Sequence, residues 1–315
     1  MKSKDIYELA VRLGRESDLR GQEKVEKYLA RIKKKYEALT PEKQTDFDEE
    51  KLSNPYSDSR ILFDNGRKVK KILAGIDMET PELLLAKQLG EIDLVLAHHP
   101  EGYALADLSD VMPLQSQVLA DYGVPINIAE SVIKPRISEV NRGVSPINHN
   151  RAVDAARLLD LNFICVHTPA DNLGANFLVK LFQEKEADLD TVGDIMELLE
   201  TIPEYAAAKK MKSGPLIFAG SEDNSCGKIV VTEFTGGTSG SKDVYEKMSH
   251  YGIGTVIGMH MSEEHRKEAE KYHINVVIAG HMASDSLGMN LLLDEIEKQG
   301  VEVVPISGLI RVKRF

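Results

Sequence analysis

Short apolar segments alternate with segments of helical periodicity along most of this 315-residue chain. In the first half the apolar segments, which we interpret as buried strands, are residues 71–76, 92–97 and 162–166. The helical segments between them are residues 80–89, 114–122 and 150–159. Strands that alternate with helices predict an α/β fold whose central sheet is mostly parallel and is flanked by helices.

The second half of the chain repeats this order. Its predicted strands are residues 228–232, 254–258 and 274–279, with helices between them at 242–251 and 263–272. In both halves a strand that begins Lys-Ile is followed by a helix, and a later apolar strand ends at a histidine. This pattern indicates an internal duplication, which would give two related α/β lobes.

Residues 1–55 have a different character. Helical spacing and many Lys and Glu residues occur at 6–15 and 22–39, and residues 40–48 open with a Thr-Pro-Glu helix start. We interpret this region as two or three helices. A solvated helical appendage and a binding arm both fit the pattern, which favours the solvated appendage.

The composition argues against several classes of protein. The net charge of −11 and the pI of about 5.4 are unlike those of a general nucleic-acid or anionic-membrane surface. No apolar run is as long as a membrane span, and residues 1–14 lack the apolar core of a signal peptide. We therefore expect a cytoplasmic protein without a membrane partner. Only Cys165 and Cys226 are present, so a metal site would use nitrogen and oxygen ligands.

Histidines follow three of the predicted strands, and the first of these strand ends carries two. His98 and His99 come directly after residues 92–97 and directly before Pro100, which cannot continue a central strand. In an open α/β sheet ligands bind at this carboxyl edge, and histidine is the commonest metal ligand. Adjacent strand residues point to opposite faces, so both imidazoles can serve one site only because the strand ends there.

The other two strand ends each add a histidine and, four residues later, a carboxylate. These pairs are His167 with Asp171 and His281 with Asp285, and we expect each carboxylate in the loop after its strand. Such donors suit zinc, iron, manganese, cobalt or nickel, and more than four of them suggest two divalent ions roughly 3.5–4 Å apart. On spacing alone, a metal site and ordinary hydrogen-bonded histidines both stay open.

The remaining histidines are assigned to the surface or to a helix cap. His260, His265 and His273 lie on or near predicted helical surface. His149 stands between two asparagines before a predicted helix, where a capping role is expected. None of these four is placed in the candidate site.

Together these segments resemble the Nif-three-like family, whose members are also called type 2 GTP cyclohydrolase-like or dinuclear-metal-centre hexameric proteins. The three histidine segments, residues 93–100, 167–171 and 280–285, occur in the order of the family. Residues 70–77 match the opening strand of the family, and residues 236–240 stand where it has a Gly-Gly-Ser-Gly loop. The resemblance covers about residues 56–315.

The resemblance implies a two-lobed α/β subunit, a dinuclear metal site between the lobes, and a toroidal homohexamer built from dimers and trimers. Carried over position by position, the metal ligands would be His98, His99, Asp171, His281 and Asp285. His167 opens the middle motif and would lie beside the ligands rather than among them.

The chain departs from the family pattern at three places. Asp285 stands where the family usually has glutamate, and its shorter side chain leaves open whether it bridges two ions or binds one. The N-terminal extension and the long stretch at 101–148 are the other two departures. We divide the chain into the helical extension at 1–55, a first lobe made of 56–175 with 282–315, and a second lobe at 176–281.

The resemblance and the donor set predict a metal-dependent hydrolase that acts on a small substrate, of a nucleotide or phosphorylated class, through metal-activated water. The cyclohydrolase name points to GTP ring opening, although this chain has no recognisable guanine-binding motif. The alternative is a non-catalytic metal-binding scaffold or a regulatory interaction protein.

No catalytic residue is assigned from the sequence. Glu101 and Tyr103 are candidates for acid–base roles by proximity to the paired histidines only, and an ordinary loop position is favoured for each. The glycine loop, residues 236–240, is either a phosphate cradle at a helix start or a strand-to-helix turn. The turn is the favoured interpretation.

Overall fold

The strands of the protein are short and lie in two sheets. The computed structural model describes residues 1–315. The strands are β1 (Arg60–Phe63), β2 (Lys71–Gly75), β3 (Leu94–Ala97), β4 (Asn162–Cys165), β5 (Leu216–Ala219), β6 (Lys228–Val231), β7 (Ile253–Gly258), β8 (Asn275–Ile278) and β9 (Glu302–Ile306).

Fourteen α-helices connect and cover these strands. They are α1 (Ser3–Glu16), α2 (Gln22–Glu37), α3 (Pro41–Thr45), α4 (Thr80–Leu89), α5 (Gly102–Ala106), α6 (Pro113–Asp121), α7 (Ile126–Val144), α8 (Arg151–Leu159), α9 (Thr168–Glu184), α10 (Val192–Glu200), α11 (Pro203–Lys210), α12 (Val244–His250), α13 (Glu263–Lys271) and α14 (His281–Glu297). No helix combines the length and the apolar character needed to cross a bilayer.

The two sheets share one topology. The strand order is β1-β4-β3-β2-β9 in the first sheet and β5-β8-β7-β6 in the second. The edge strands β1 and β5 pair antiparallel with β4 and β8, whereas all other pairs are parallel. Without β9, the two sheets have the same strand order, in which β1, β2, β3 and β4 of the first sheet correspond to β5, β6, β7 and β8 of the second. An internal duplication accounts for this correspondence. The predicted α/β class with two mostly parallel, helix-flanked sheets is confirmed.

Three strands and three long helices, α7, α9 and α14, are absent from the sequence prediction. The strands β1, β5 and β9 each lie at a sheet edge and pair with a single neighbour, so partial burial weakens their apolar pattern. The helix α7 carries Pro135 in its interior, a residue that normally interrupts helical periodicity.

The stretch at 101–148 leaves the first sheet after β3 and returns to it through α8 and β4, and in between it packs against the second lobe. It folds into α5, α6 and α7. Apolar residues of α6 and α7 pack on the second sheet, although the stretch comes between two strands of the first sheet in the sequence. Leu119 and Ile133 share one buried cluster with Val230 and Val256 of that sheet. The added stretch therefore covers one face of the second lobe.

The first helix of the N-terminal extension is part of the core. Ile6 and Ala10 of α1 are fully buried in the same apolar cluster as Ile72 and Leu96 of the first sheet. In α2, by contrast, Val25 is the only buried residue. The predicted solvated appendage is therefore wrong for α1, whose apolar face covers the sheet, and holds for α2.

A buried polar network ties the extension to α9. The Asn172 amide nitrogen donates to the Gly14 carbonyl at 3.1 Å, lies 3.4 Å from Asp18 Oδ2, and contacts the Tyr56 hydroxyl at 3.1 Å. Its amide oxygen accepts from Thr235 Oγ1, in the second lobe, at 2.5 Å. Buried polar groups need such partners, so the extension, α9 and the second lobe are held in one arrangement around Asn172.

The helices α9 and α14 cross at two glycines. A Cβ built on Gly288 would lie 2.2 Å from the carbonyl oxygen of Ala170, and one on Gly174 would lie 3.4 Å from the Gly288 nitrogen. Each glycine comes three residues after an aspartate, in the sequences His-Thr-Pro-Ala-Asp-Asn-Leu-Gly and His-Met-Ala-Ser-Asp-Ser-Leu-Gly. The crossing therefore brings Asp171 and Asp285 of the two repeats together.

We predict that Gly288→Ala lowers the free energy of unfolding by roughly 1–3 kcal/mol, because the methyl group must displace the backbone of α9. The matched control is Gly143→Ala in α7, where no atom lies within 4 Å of the added carbon. There alanine should raise stability by up to about 1 kcal/mol, since it favours a helix over glycine. Urea denaturation of both variants measures the difference, and equal effects would contradict the close crossing.

Candidate metal centre

The paired histidines lie at the carboxyl edge of the first sheet. The backbone of His98 donates to the Gly75 carbonyl at 2.9 Å, and that of His99 donates to the Ile76 carbonyl at 3.0 Å. These bonds extend the register of β3 with β2 by two residues before Pro100. The two imidazole centroids are 5.2 Å apart and both rings border the same site, as the sequence predicts for a strand that ends here.

The two aspartates lie on helices, whereas their positions after strand ends predict loops. His167 caps α9 and Asp171 is in its first turn, while His281 is the first residue of α14 and Asp285 lies one turn further on. Residues four apart share one face of a helix, so each histidine and its aspartate point the same way. A histidine followed by an aspartate four residues later is the spacing expected for two residues on one face of a helix.

Asp285 is surrounded by three imidazoles. Its Oδ1 atom is 3.5 Å from His98 Nε2, and its Oδ2 atom is 3.5 Å from His99 Nε2 and 3.6 Å from His281 Nε2. The side chain is 1% exposed, and neither oxygen has a hydrogen-bond partner. One carboxylate thus presents its two oxygens to two different groups of imidazole nitrogens.

Asp171 faces the other side of His98. Its Oδ1 atom is 3.3 Å from His98 Nε2 and is also without a hydrogen-bond partner, while its Oδ2 atom is 3.7 Å from His167 Nε2. All five sequence-predicted ligands therefore come together, and His167 lies beside them. Three sets of possible ligand atoms, each within 4.8 Å of one another, are His98-Asp171-Asp285, His99-His281-Asp285 and His98-His99-His167.

The outward ring nitrogens fix how these imidazoles point. The Nδ1 atom of His98 is 3.2 Å from the Val166 carbonyl, that of His99 is 2.6 Å from Asp77 Oδ1, and that of His167 is 2.9 Å from Asp58 Oδ2. An acceptor on Nδ1 holds its proton there and leaves Nε2 free as a ligand. The free nitrogens all face the two aspartates.

The residues fit one or more divalent metal ions. Buried carboxylate oxygens and an imidazole nitrogen without partners are costly to bury, and a cation among them would remove that cost. Imidazole and carboxylate donors without thiolate are the ligands of zinc, iron, manganese, cobalt and nickel in proteins. The buried His/Asp clusters can therefore hold metal.

The electrostatics of the site are those of ligands that attract a cation. Burial alone would lower the pKa of His98, but the Asp285 and Asp171 carboxylates outweigh it and raise that pKa to about 10. Burial would raise the pKa of Asp285, and the neighbouring His98 lowers it well below its usual range instead. Burial also lowers the pKa of His281, and the nearby His99 acts in the same direction.

His260 borders the site, although its position near a predicted helix indicates an ordinary surface residue. Its ring centroid is 4.7 Å from that of His281, and its Nδ1 atom is 3.1 Å from Ser239 Oγ in the glycine loop. Burial, followed by His281, lowers its pKa to about 4, so the ring is neutral at pH 7. The missed signal is the duplication, because His260 follows β7 as His99 follows β3.

Neither proposed acid–base candidate touches the ligand atoms. Burial and the nearby Glu79 carboxylate raise the pKa of Glu101 to about 7, but its side chain has no hydrogen bond to the site. Tyr103 is 53% exposed, with the Arg60 guanidinium 5.0 Å from its ring. Both positions fit the interpretation as ordinary residues of the segment after the histidines.

Comparison with solved structures shows what this chain is similar to. A NIF3 superfamily protein from Sphaerobacter thermophilus is 33% identical over 80% of this chain and 92% of its own, with a TM-score of 0.75. Reduced HcgD from Methanocaldococcus jannaschii is 13% identical over 78% of this chain and 87% of its own, with a TM-score of 0.49. TTHA1606 from Thermus thermophilus is 16% identical over 79% and 86%, with a TM-score of 0.44.

The identities and TM-scores of the last two proteins are too low to establish a relationship, whereas those of the Sphaerobacter protein are sufficient to assign a family. No protein-family model and no curated protein matches the sequence. The Sphaerobacter protein is nevertheless one-third identical in sequence, and the match covers most of both chains. It agrees with the resemblance drawn from the three histidine segments, and the chain belongs to the NIF3 superfamily.

Proposed function

We propose that this protein binds two divalent metal ions and acts as a metal-dependent hydrolase of a small substrate. The observation that carries the proposal is the pair of ligand groups that share Asp285, one with His98 and Asp171 and one with His99 and His281. Bound ions would act as Lewis acids and activate water for attack on an ester, amide or phosphate.

The protein's own residues would hold and expose such a centre. His98 is fully buried, and Asp171 and Asp285 are nearly so. By contrast, the side chains of His99 and His281 are 26% and 38% exposed, so one side of the site is open to solvent. A catalytic site needs an open side for substrate, whereas a structural metal site is closed.

The shorter carboxylate at 285 is compatible with bridging in this arrangement. Its two oxygens already face different imidazoles at 3.5 Å, so an additional methylene group is not required for reach. We propose on this ground that Asp285 would help to hold both ions, with His98 and Asp171 in one ligand group and His99 and His281 in the other. The substrate class that we propose to test first is phosphorylated or nucleotide-like compounds.

Elemental analysis of metal-loaded protein should give about two ions per chain. Asp171→Asn and His281→Ala should each lose about one ion, because each belongs to a single ligand group, and Asp285→Asn should lose both. His149→Ala serves as the control, since its ring contacts only the Val144 carbonyl. Failure of the wild-type protein to take up any metal on reconstitution would contradict the proposal.

Metal binding at pH 7 should release protons. His98, whose pKa is raised to about 10, is protonated in the metal-free protein and must become neutral to coordinate a metal. The pKa of His281 is lowered, so this residue has no proton to release. Affinity should therefore increase as the pH rises from 7 toward 10.

Calorimetric titrations in two buffers of different ionisation enthalpy measure this release. His98→Ala should reduce the number of protons released by about one, whereas His149→Ala, which lies outside the ligand groups, should leave it unchanged. Heats of binding that do not depend on the buffer in the wild-type protein would contradict the assigned protonation of His98.

A screen of phosphate esters, nucleotides and amides with added Mn²⁺ or Zn²⁺ tests the enzymatic part. We expect turnover that requires the metal and falls to background in His98→Ala, because that side chain belongs to the ligand group with both aspartates. Metal-loaded wild-type protein that turns over none of these substrates would instead support the non-catalytic scaffold.

A further inference from the structure

One edge of the second sheet lacks the strand that its counterpart in the first sheet has. In the first sheet β9 pairs parallel with β2, whereas β6, which corresponds to β2, is the outermost strand of the second sheet. Every residue of the chain is described, and none forms a strand on the outer side of β6. The duplication therefore leaves a strand position beside β6 that this chain does not fill.

The hydrogen bonds of β6 show which of its residues face this outer edge. The amide of Thr232 donates to the Ile257 carbonyl at 3.1 Å, toward the neighbouring β7, so the residue before it faces away from β7. That residue, Val231, donates from its amide to the Tyr122 hydroxyl at 3.2 Å, and its carbonyl accepts from the same hydroxyl at 3.3 Å. Ile229, two positions earlier, presents its backbone groups to the same edge.

A groove of about 630 Å³ lies at this edge. One wall comes from α9 and the segment after it, with the buried side chains of Phe182 and Leu189, and the other comes from the end of α6, with Tyr122. Ile229 and Val231 also line the groove. Its volume is that of a ligand pocket, and its apolar walls can receive side chains of an extended segment that pairs with β6.

Lys228 indicates which residue such a segment carries at its start. The corresponding residue of the first lobe, Lys71 of β2, forms an ion pair at 2.8 Å with Glu302, the first residue of β9. Lys228 is exposed, and its ammonium group donates to a backbone carbonyl without forming an ion pair. By analogy with the first lobe, an acidic residue on an added strand would complete the pair.

Two carboxylates in the walls limit the remaining charge of the segment. Asp121 is already balanced by an ion pair with Lys24, whereas Glu186 is exposed and unpaired. Further acidic residues on the segment would be repelled by Glu186. The groove therefore fits one acidic residue beside Lys228, followed by apolar residues.

We propose that an extended segment of a partner protein binds this groove as a fifth strand, parallel to β6, with an acidic residue beside Lys228 and apolar residues after it. Its backbone would pair with Ile229 and replace the Tyr122 hydroxyl at Val231. In strand addition of this kind, main-chain hydrogen bonds supply affinity and the surrounding side-chain pockets supply specificity. The inference goes beyond the proposed hydrolase and does not depend on it.

The sequence of β9 provides a probe for this groove. A fluorescently labelled peptide of residues 301–307, Val-Glu-Val-Val-Pro-Ile-Ser, has one acidic residue followed by apolar ones. Its anisotropy should show saturable binding to the full-length protein. Lys228→Glu should weaken this binding roughly fivefold, because it reverses the charge opposite the peptide glutamate, and a Glu302→Lys peptide should recover most of the loss. The control is Lys210→Glu, which changes the net charge equally at an exposed position of α11 outside the groove.

Hydrogen exchange followed by NMR locates the bound peptide. Exchange of the Ile229 amide should slow when the peptide is added, because that amide gains an acceptor. Tyr122→Phe removes the competing hydroxyl and should bind the peptide roughly threefold more tightly.

Several results would overturn the proposal. These are absence of peptide binding, binding that Lys228→Glu leaves unchanged, weaker binding by Tyr122→Phe, and an Ile229 amide whose exchange does not slow. Protection of that amide that rises with protein concentration in the absence of peptide would show that a second copy of this chain covers the edge, and would overturn a peptide partner.

Discussion

The candidate centre depends on the contact between α9 and α14. These helices can bring Asp171 and Asp285 to one place because Gly288 has no side chain at their crossing, where a Cβ would lie 2.2 Å from the Ala170 carbonyl oxygen, and it faces Gly174 of α9. Each aspartate lies one turn before its glycine on the same helix, so the distance between the helices sets the distance between the carboxylates. The same repeated eight-residue sequence therefore supplies both the glycine at the helix crossing and the histidine and aspartate of the candidate site.

Much of this arrangement is predictable from strand ends. Apolar runs that stop at histidines placed His98, His99 and His281 at the carboxyl edges of parallel strands, where the structure has them. The helical position of Asp171 and Asp285 was not predicted, because Thr-Pro-Ala after His167 and small residues after His281 suggest a loop. In fact proline is well suited to the first turn of a helix, which is where Pro169 lies.

Other features could not be recognised one segment at a time. His260 looks like a surface residue until the topologies of the two sheets are compared and it takes the place of His99. Likewise, the burial of α1 depends on which face of the first sheet is left uncovered by the other helices, a property of the assembled fold. The periodicity of a segment predicts that one face of its helix is apolar, but it does not predict which other element that face packs against.

The two repeats contribute different residues to the candidate site, so its two sides are not equivalent. His98 has no counterpart in the second lobe, where Met259 follows β7 and joins the apolar core. The first lobe thus contributes the buried histidine that contacts both aspartates. The second lobe contributes the more exposed His281, with His260 and Ser239 at its border. The closed side of the site is therefore that of His98, and its open side is bordered by His99 and His281.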